Sequence, residues 1–357
     1  MWRWPAPELG PYCAQEHPVW PLPLSGPLAR PESEVSGMAW DNDRLMLLPQ
    51  FPNRLQPAGS QGMAPADGLL YWLPKHRLQA AIDAARQQAA GAAPGARTAA
   101  RQPSMQHVPP LVPRPLPLIA PELETRFPHF DGFEAIAFAG KHAFVLVETD
   151  NAGTPGSFLL HGFIDVRHGA LRLDTRHPVR LSLPLKLNNI AFEALTVVGE
   201  EVWVFFEVNG GPNAQPQVLR YDFALRPLPA LPMPALEYRL TDATAQDARG
   251  RFWVTNYHWP KSAWRCRPCH LFGRFGRGPT HRMLPAVERL VALEWDGKRL
   301  ALAPVEPLQL ELDPRGRPRN WEAVARLDDQ GFVIMTDRHP ESLLAFVPRR
   351  PARRRCR

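Results

Sequence analysis

Five short segments of the chain repeat one pattern of hydrophobic and polar positions. In each segment a polar residue opens an apolar strand, a turn follows, and a second strand rich in Val, Phe, Trp and Leu completes a predicted hairpin. A second polar position always lies fourteen residues after the first. Because antiparallel pairing returns the second strand to the edge where the first begins, we expect both positions at one edge of a sheet. The first positions are Ser36, Glu134, Glu193, Asp242 and Glu322, and the second positions are Gln50, Glu148, Glu207, Asn256 and Thr336.

Further strands can be read after most hairpins. They lie at 157–166 and 171–184, at 217–223 and 236–240, and at 290–295 and 300–310. Four strands per repeat, with Gly or Ala behind the first polar position where strands crowd round an axis, are typical of β-propeller blades. The five repeats therefore predict an all-β chain folded as a five-bladed β-propeller.

The repeats also set the predicted organisation of the chain, which is one domain over residues 1–357. The N-terminal stretch 17–28 is expected to supply the outer strand that the last blade lacks, so that no sheet edge stays open. Residues 78–86 read as a short helix that opens an Ala-, Gly- and Pro-rich, disordered insertion. The predicted blades are 34–128 with the insertion at 78–110, 131–186, 189–240, 241–312 with a loop insertion at 258–285, and 319–348, followed by a basic tail at 349–357.

Composition adds little to this interpretation. The 42 Lys and Arg against 35 Asp and Glu give a formal charge of +7, and much of the excess lies in the C-terminal tail, which we interpret as a solvated end. No aromatic residues interleave with those charges, so we do not expect nucleic-acid binding. The chain has no apolar run of about 18 residues and no signal-peptide core, which predicts a cytoplasmic protein without a membrane span, or an exported one if translation starts upstream. Nothing in the sequence indicates an oligomeric state.

The cysteines form one local motif. Cys266, Cys269 and His270 match the attachment pattern of c-type haem, but that chemistry needs an exported chain and an axial ligand. A zinc site completed by His258, His270 or His281 would need four close ligands, and only the Cys pair has the usual spacing. We interpret Cys266 and Cys269 as loop thiols and expect neither haem nor zinc.

The first polar positions are the candidate metal ligands. The first strand of each propeller blade lines the central channel, so Ser36, Glu134, Glu193, Asp242 and Glu322 are expected to converge. Carboxylates that crowd together stay ionised only beside a cation, and calcium suits a set of carboxylate and hydroxyl oxygens. Two alternatives stay open, namely hydrogen bonding to backbone N–H groups or water, and a calcium ion that only joins the blades.

The second polar positions and the loops after them predict a site for a polar, anionic ligand at the mouth of the channel. We expect Glu148 or Glu207 to activate water and His258 or His339 to protonate a leaving group. The competing interpretation is a propeller that binds a ligand or serves as a scaffold without catalysis. The expected substrate-binding residues are Gln50, Arg54, Asn256, Lys261, Asp337 and Arg338.

Three stretches carry a family resemblance. They run from Glu34 to Trp40, from Asn188 to Leu195 and from Asn320 to Asp337, and they resemble strands of the esterase-like phytase propellers and their uncharacterised bacterial relatives. The chain also resembles the calcium-activated apyrases, in which Ser and Glu side chains hold a calcium ion in the tunnel. The residues here that resemble those ligands are Ser36, Glu134, Glu193 and Glu322. Asp242 departs from that family, which has a hydroxyl there. The resemblance implies a calcium-binding propeller that hydrolyses phosphate or related esters.

Overall fold

The computed structural model describes residues 14–55, 67–91, 108–260 and 269–349. The described chain is mainly β-structure, arranged in sheets of nine, five, four and four strands, so the prediction of a β protein is confirmed. No helix among the described residues has the length and apolarity needed to cross a membrane. Of the predicted site residues, Lys261 and Cys266 lie outside the described residues, as do 350–357 of the basic tail.

The N-terminal segment and the first unit contain six strands, three 3-10 helices and one α-helix. The helix is longer than the predicted 78–86, because its apolar side chains Leu78, Ile82 and Ala85 pack into the core. The elements are β1 (Glu16–His17), β2 (Trp20–Pro21), 3-10 helices Pro27–Ala29 and Pro31–Ser33, β3 (Val35–Asp41), β4 (Arg44–Pro49), 3-10 helix Pro52–Leu55, β5 (Gly68–Pro74), α1 (Lys75–Gly91) and β6 (Arg114–Ile119).

The second and third units differ from the predicted strands at their outer edges. The stretch 171–184 forms two short strands, and the outer strand of the third unit lies at 227–232 in place of the predicted 236–240. An outer strand has one free edge and therefore tolerates its three prolines. The elements are α2 (Leu123–Arg126), β7 (Phe130–Ala139), β8 (His142–Asp150), β9 (Pro155–Asp165), β10 (Ala170–Leu173), β11 (Val179–Leu181), β12 (Phe192–Val198), β13 (Glu201–Phe206), β14 (Gln217–Asp222) and β15 (Pro227–Pro232).

In the fourth unit the first predicted strand is reduced to one bridge, between Ala243 and Val254. The stretch 300–310 again forms two strands, and the described part of the 258–285 insertion contains two short helices. The elements of the fourth and fifth units are β16 (Arg251–His258), α3 (His270–Phe275), α4 (Pro279–Met283), β17 (Val287–Trp295), β18 (Leu300–Leu302), β19 (Leu308–Leu310), β20 (Trp321–Leu327), β21 (Gly331–Thr336) and β22 (Leu344–Pro348).

The first two units share the nine-stranded sheet, because their outer strands β6 and β10 pair in parallel. The two end strands of this sheet, β3 and β7, also pack side by side, so the sheet nearly closes on itself. Their approach requires small residues. A Cβ atom at Gly37 would lie 3.0 Å from the Cα atom of Ala135.

The opening strands of the units neighbour one another in a cycle. β7 lies between β3 and β12, and β20 lies between β3 and β16, the second strand of the fourth unit, whose opening segment forms no regular strand. Side chains join the remaining contacts, since Thr196 Oγ1 donates to the Thr244 carbonyl at 3.0 Å and Thr241 Oγ1 donates to the Trp321 carbonyl at 2.6 Å. Five apolar clusters alternate with the units, each filled from two neighbours, including the fifth and the first.

The first polar position of four hairpins lies in a β-bulge. The strand pairing shifts between Val35 and Gly37, between Phe133 and Ile136, between Phe192 and Ala194, and between Trp321 and Ala323. The skipped residues include Ser36, Glu134, Glu193 and Glu322. A bulge leaves its extra residue unpaired and redirects the side chain. The repeated pattern of the sequence therefore encodes four redirected polar side chains.

The N-terminal segment contacts two units. β2, within the predicted closing stretch 17–28, pairs antiparallel with β22, and β1 pairs in parallel with β19. The buried Glu16 carboxylate accepts hydrogen bonds from the backbone N–H and hydroxyl of Thr280 and from the backbone N–H and Nδ1 of His281, at 2.8 to 3.1 Å. Nε2 of His281 accepts from the Glu288 N–H at 3.2 Å, which fixes Nδ1 as the donor.

We expect Glu16→Ala to destabilise the protein by about 2 kcal/mol, because it leaves several buried donors without an acceptor. Urea unfolding measures the change. Glu32→Ala, which alters an exposed carboxylate of the same segment, is the matched control and should change the free energy of unfolding by less than about 0.5 kcal/mol. Equal stability of both variants would contradict a stabilising role for the Glu16 contacts.

Candidate functional site

Three glutamates meet near the axis of the cycle of opening strands. Glu134 and Glu193 extend from bulges in β7 and β12, and Glu148 lies near the end of β8. One carboxylate oxygen from each lies within 4.8 Å of the others. Glu322 interacts electrostatically with this group. Its charge raises the pKa of Glu134, and the charge of Glu193 raises the pKa of Glu322. We call Glu134, Glu148, Glu193 and Glu322 the carboxylate centre.

The pKa of every member of the carboxylate centre lies above its ordinary value of 4.5. Burial is the largest cause in each case. Burial together with Asp131 and Asp150 raises the pKa of Glu148 to about 7. Burial and Glu148 raise that of Glu193 to about 8, and burial with Glu193 and Asp337 raises that of Glu322 to about 8. The pKa of Glu134 is also raised, by burial and by its neighbours Glu193 and Glu148.

Arg239 is the buried cation beside the carboxylate centre. Its guanidinium pairs with the fully buried Glu207 and lies 5.8 Å from the Tyr257 ring. Its charge lowers the pKa values of Glu148, Glu193 and Glu322. The Tyr257 hydroxyl donates to Oε1 of Glu322 at 3.0 Å. The sequence analysis did not select Arg239, because this residue lies outside the five hairpins. Its signal in the sequence is a single charged residue between Tyr238 and Leu240.

The backbone of Arg239 is held from two sides. It forms bridges to Val208 and Tyr257, and its N–H donates to the Tyr257 carbonyl at 3.0 Å. Asn256, predicted to bind substrate, instead donates from Nδ2 to the carbonyls of Glu237 at 2.7 Å and Arg239 at 3.2 Å. Nε of Arg289 donates to Oδ1 of Asn256 at 2.7 Å. These contacts engage Asn256 in positioning Arg239.

Two predicted metal ligands, Ser36 and Asp242, form hydrogen bonds within the protein. Ser36 Oγ donates to the Phe133 carbonyl at 2.5 Å. Oδ1 of Asp242 accepts from the Ala243 N–H at 2.8 Å, and Oδ2 accepts from the Val324 N–H at 2.7 Å. For these two residues the contacts match the alternative of hydrogen bonding within the protein. Burial raises the pKa of Asp242 well above its ordinary value.

Gln50 joins the carboxylate centre to its mouth. Its Nε2 donates to Oε1 of Glu134 at 3.2 Å and to the Asp131 carbonyl at 3.1 Å. Gly132, with φ +132°, makes room for it, because a Cβ atom there would lie 2.2 Å from Cγ of Gln50. Asp337 lies at the mouth as well, where it accepts from Nδ2 of Asn320 at 2.8 Å and from the His339 N–H at 2.7 Å.

The predicted cations and histidines at the mouth are held by neighbours. The Arg54 guanidinium lies 3.4 Å above the Phe51 ring, and Arg338 pairs with Glu34. Exposed His339 lies beside the Trp259 ring with centroids 5.9 Å apart. Buried His258 packs on Tyr238 with centroids 5.1 Å apart. The described thiol, Cys269, accepts a hydrogen bond from Nη1 of Arg289 at 3.4 Å.

Comparisons with known proteins leave the family open. No family model matches the chain, and no curated protein matches it. Among solved structures, an exo-1,5-α-L-arabinanase from a bovine ruminal metagenomic library aligns at 8% identity over 91% of this chain and 94% of that one, with a TM-score of 0.42. The α-L-arabinanase of Cellvibrio cellulosa aligns at 10% identity over 87% and 88%, with a TM-score of 0.42. A glycosyl hydrolase of Bacteroides ovatus aligns at 11% identity over 96% and 95%, with a TM-score of 0.41.

These scores are too low to assign a fold family or an activity. The resemblance to phytase-like and apyrase propellers therefore stays a prediction.

The raised pKa values predict an unusual pH dependence of stability in the chelator-treated protein. Between pH 5 and pH 8 the folded state binds more protons than the unfolded state, whose carboxyls titrate near 4.5, so stability should fall as pH rises. We expect Glu322→Gln to flatten the decrease and exposed Glu200→Gln to leave it unchanged. Thermal unfolding at pH 5, 6, 7 and 8 measures how the stability of each variant changes with pH. A stability that rises over this range in the unmodified protein would contradict the prediction.

Proposed function

We propose that the chain is a five-bladed β-propeller that binds one calcium ion at its carboxylate centre and hydrolyses phosphate or related esters. The cycle of opening strands and the five apolar clusters between neighbouring units support the blade count. The observation that carries the functional proposal is the approach of Glu134, Glu148 and Glu193 to within 4.8 Å.

The three carboxylates fit a calcium ion in separation and in chemistry. Calcium binds oxygen at about 2.3 to 2.6 Å, so two ligands on opposite sides of an ion lie about 5 Å apart. Hard carboxylate oxygens with adaptable geometry suit calcium better than softer transition metals. Charge favours the same conclusion, because Arg239 already pairs with Glu207 and cannot neutralise all of the carboxylate centre.

Glu134, Glu148 and Glu193 would hold the ion. A bound calcium ion supplies a Lewis acid that polarises the scissile group. Glu148 lies close enough to Asp131 and Asp150 for their charges to raise its pKa, and once ionised beside the calcium ion its carboxylate would take a proton from the attacking water. The hydroxide formed adds to the scissile atom as the bond to the leaving oxygen breaks. Glu322, which accepts a hydrogen bond from the Tyr257 hydroxyl and whose pKa is raised by burial, would give its proton to that oxygen.

Calcium should raise the melting temperature of the chelator-treated protein, because a ligand bound only by the folded state stabilises it by mass action. The gain is about 3 kcal/mol at a hundredfold excess over Kd. Glu193→Gln should abolish the calcium response, and Glu200→Gln, in the turn after the same strand, should preserve it. A melting temperature that ignores calcium in the wild type would contradict the proposed ion site.

Glu322→Gln separates catalysis from ion binding. We expect it to keep the calcium-dependent stabilisation and to lower kcat for phosphate esters by about a hundredfold or more, because the leaving oxygen loses its proton donor. Turnover of 4-nitrophenyl and alkyl phosphates measures the effect, with Glu200→Gln as control. Unchanged kcat in Glu322→Gln would remove Glu322 from the mechanism.

A second candidate is hydrolysis of glycosides by the carboxyls themselves, without a metal ion. The observation in its favour is that buried carboxyls with pKa values near 7 and 8 adjoin one another, which suits an acid and base pair acting on a glycosidic bond. Among the described residues, the predicted anion-binding Arg338 already pairs with Glu34, which leaves less positive charge for phosphate.

One substrate panel distinguishes the candidates. Phosphate-ester turnover that disappears with chelator supports the first, and glycoside turnover that resists chelator supports the second. Calcium binding without turnover of either class supports the non-catalytic alternative.

A further inference from the structure

A cavity of about 250 Å³ is lined in part by Phe51 and Phe130, which are the chain neighbours of Gln50 and Asp131. Phe51, Phe127 and Phe130 form its apolar walls, and Asn53, Arg54 and Glu124 contribute polar groups. An apolar cavity of about 150 Å³ is enough to hold a benzene molecule. The cavity therefore has room for one six-membered ring with substituents.

The aromatic walls are fixed from behind by the protein core. Phe127 packs edge to face on Phe158 with centroids 5.1 Å apart, and Phe130 packs in the same way on Phe133 at 5.3 Å. Phe51 meets Phe130 edge to face at 6.1 Å. Rigid walls lower the cost of ordering a bound ring, and edge-to-face contacts add attraction beyond burial.

Arg54 presents a planar cation to the cavity. Its guanidinium lies 3.4 Å above the Phe51 ring, and both side chains line the cavity. Guanidinium groups stack on aromatic rings through both the cation–π interaction and flat contact. A planar aromatic ligand would complete a sandwich of Phe51, Arg54 and the bound ring.

The charges of the rim favour a ring without a large charge of its own. The lining contains one carboxylate, Glu124, and one guanidinium, Arg54, and Nδ2 of Asn53 donates to Oε1 of Glu124 at 3.2 Å. Within the described part of the chain, no hydrogen bond engages Oε2 of Glu124 or Oδ1 of Asn53. Both remain as acceptors for a hydroxyl or N–H substituent on the ring.

The cavity is connected to the carboxylate centre through neighbouring residues of the chain. Phe51 follows Gln50, which donates to Glu134, and Phe130 precedes Asp131, which affects the pKa of Glu148. Consecutive Cα atoms are about 3.8 Å apart. The same two stretches of chain, 50–51 and 130–131, therefore border both the cavity and the carboxylate centre.

We propose that this cavity binds a planar aromatic ring, which makes aryl-bearing esters or glycosides the substrate class of the carboxylate centre. The choice of substrate rests on the proposed function, whereas the binding of the ring does not. Its test therefore measures binding in the absence of calcium and of turnover.

The experiment compares two alcohols of similar size, benzyl alcohol and cyclohexylmethanol, by saturation-transfer NMR on chelator-treated full-length protein. We expect benzyl alcohol to bind more tightly. Arg54→Leu should weaken the binding of benzyl alcohol by about two- to fivefold, which is the range of an exposed cation–π contact. The binding of cyclohexylmethanol should stay nearly unchanged. Arg54→Lys should restore part of the difference. Arg226→Leu, which removes an exposed arginine paired with Asp222 in the third unit, is the control and should behave as wild type.

Equal binding of the two alcohols, or displacement of benzyl alcohol by methyl glucoside with no effect of Arg54→Leu, would overturn the proposal in favour of an apolar or polyol site. Aromatic binding without hydrolysis of any ester or glycoside would support the cavity assignment while the proposed function fails. Calcium-dependent hydrolysis without aromatic binding would contradict the cavity assignment and leave the proposed function standing.

Discussion

The confinement of four buried carboxyl groups beside one committed guanidinium is the constraint on which the site depends. Glu134, Glu193 and Glu322 are placed there by β-bulges, and Glu148 reaches the same point from the end of a second strand. Arg239 is already paired with Glu207. The remaining negative charge can be removed only by protons or by a cation, so proton binding and metal binding are alternatives at one place.

Protons and a cation would affect the protein differently. In the metal-free protein one oxygen of Glu134 lies within 4.8 Å of oxygens of Glu148 and Glu193, and Glu134 lowers the pKa of each. One proton on Glu134 can thus be shared between its neighbours. A divalent ion would replace this proton and let the three groups ionise together. The same exchange would change Glu148 from a weak acid to a carboxylate, which is the form that hydrolysis requires.

The sequence predicted the parts of the molecule that repeat. The fourteen-residue interval located the hairpins, and the polar residue that opens each hairpin brought Glu134 and Glu193 into the site. The interval could not show which of these polar residues meet in the carboxylate centre, because that depends on side-chain partners from other units. Asp242 shares the pattern but is engaged by backbone N–H groups of Ala243 and Val324. Arg239 has no place in the repeat and is defined only by the tertiary contacts of its backbone.

The most direct test of the central claim is a crystal structure of the protein with bound calcium, with the ion located by its anomalous scattering and carboxylate distances compared with a chelator-treated crystal. The account predicts one anomalous peak among Glu134, Glu148 and Glu193, with calcium–oxygen distances of about 2.3 to 2.6 Å. A peak at Asp242 or elsewhere, or three glutamates that keep their hydrogen-bonded contacts at saturating calcium with no peak between them, would contradict it.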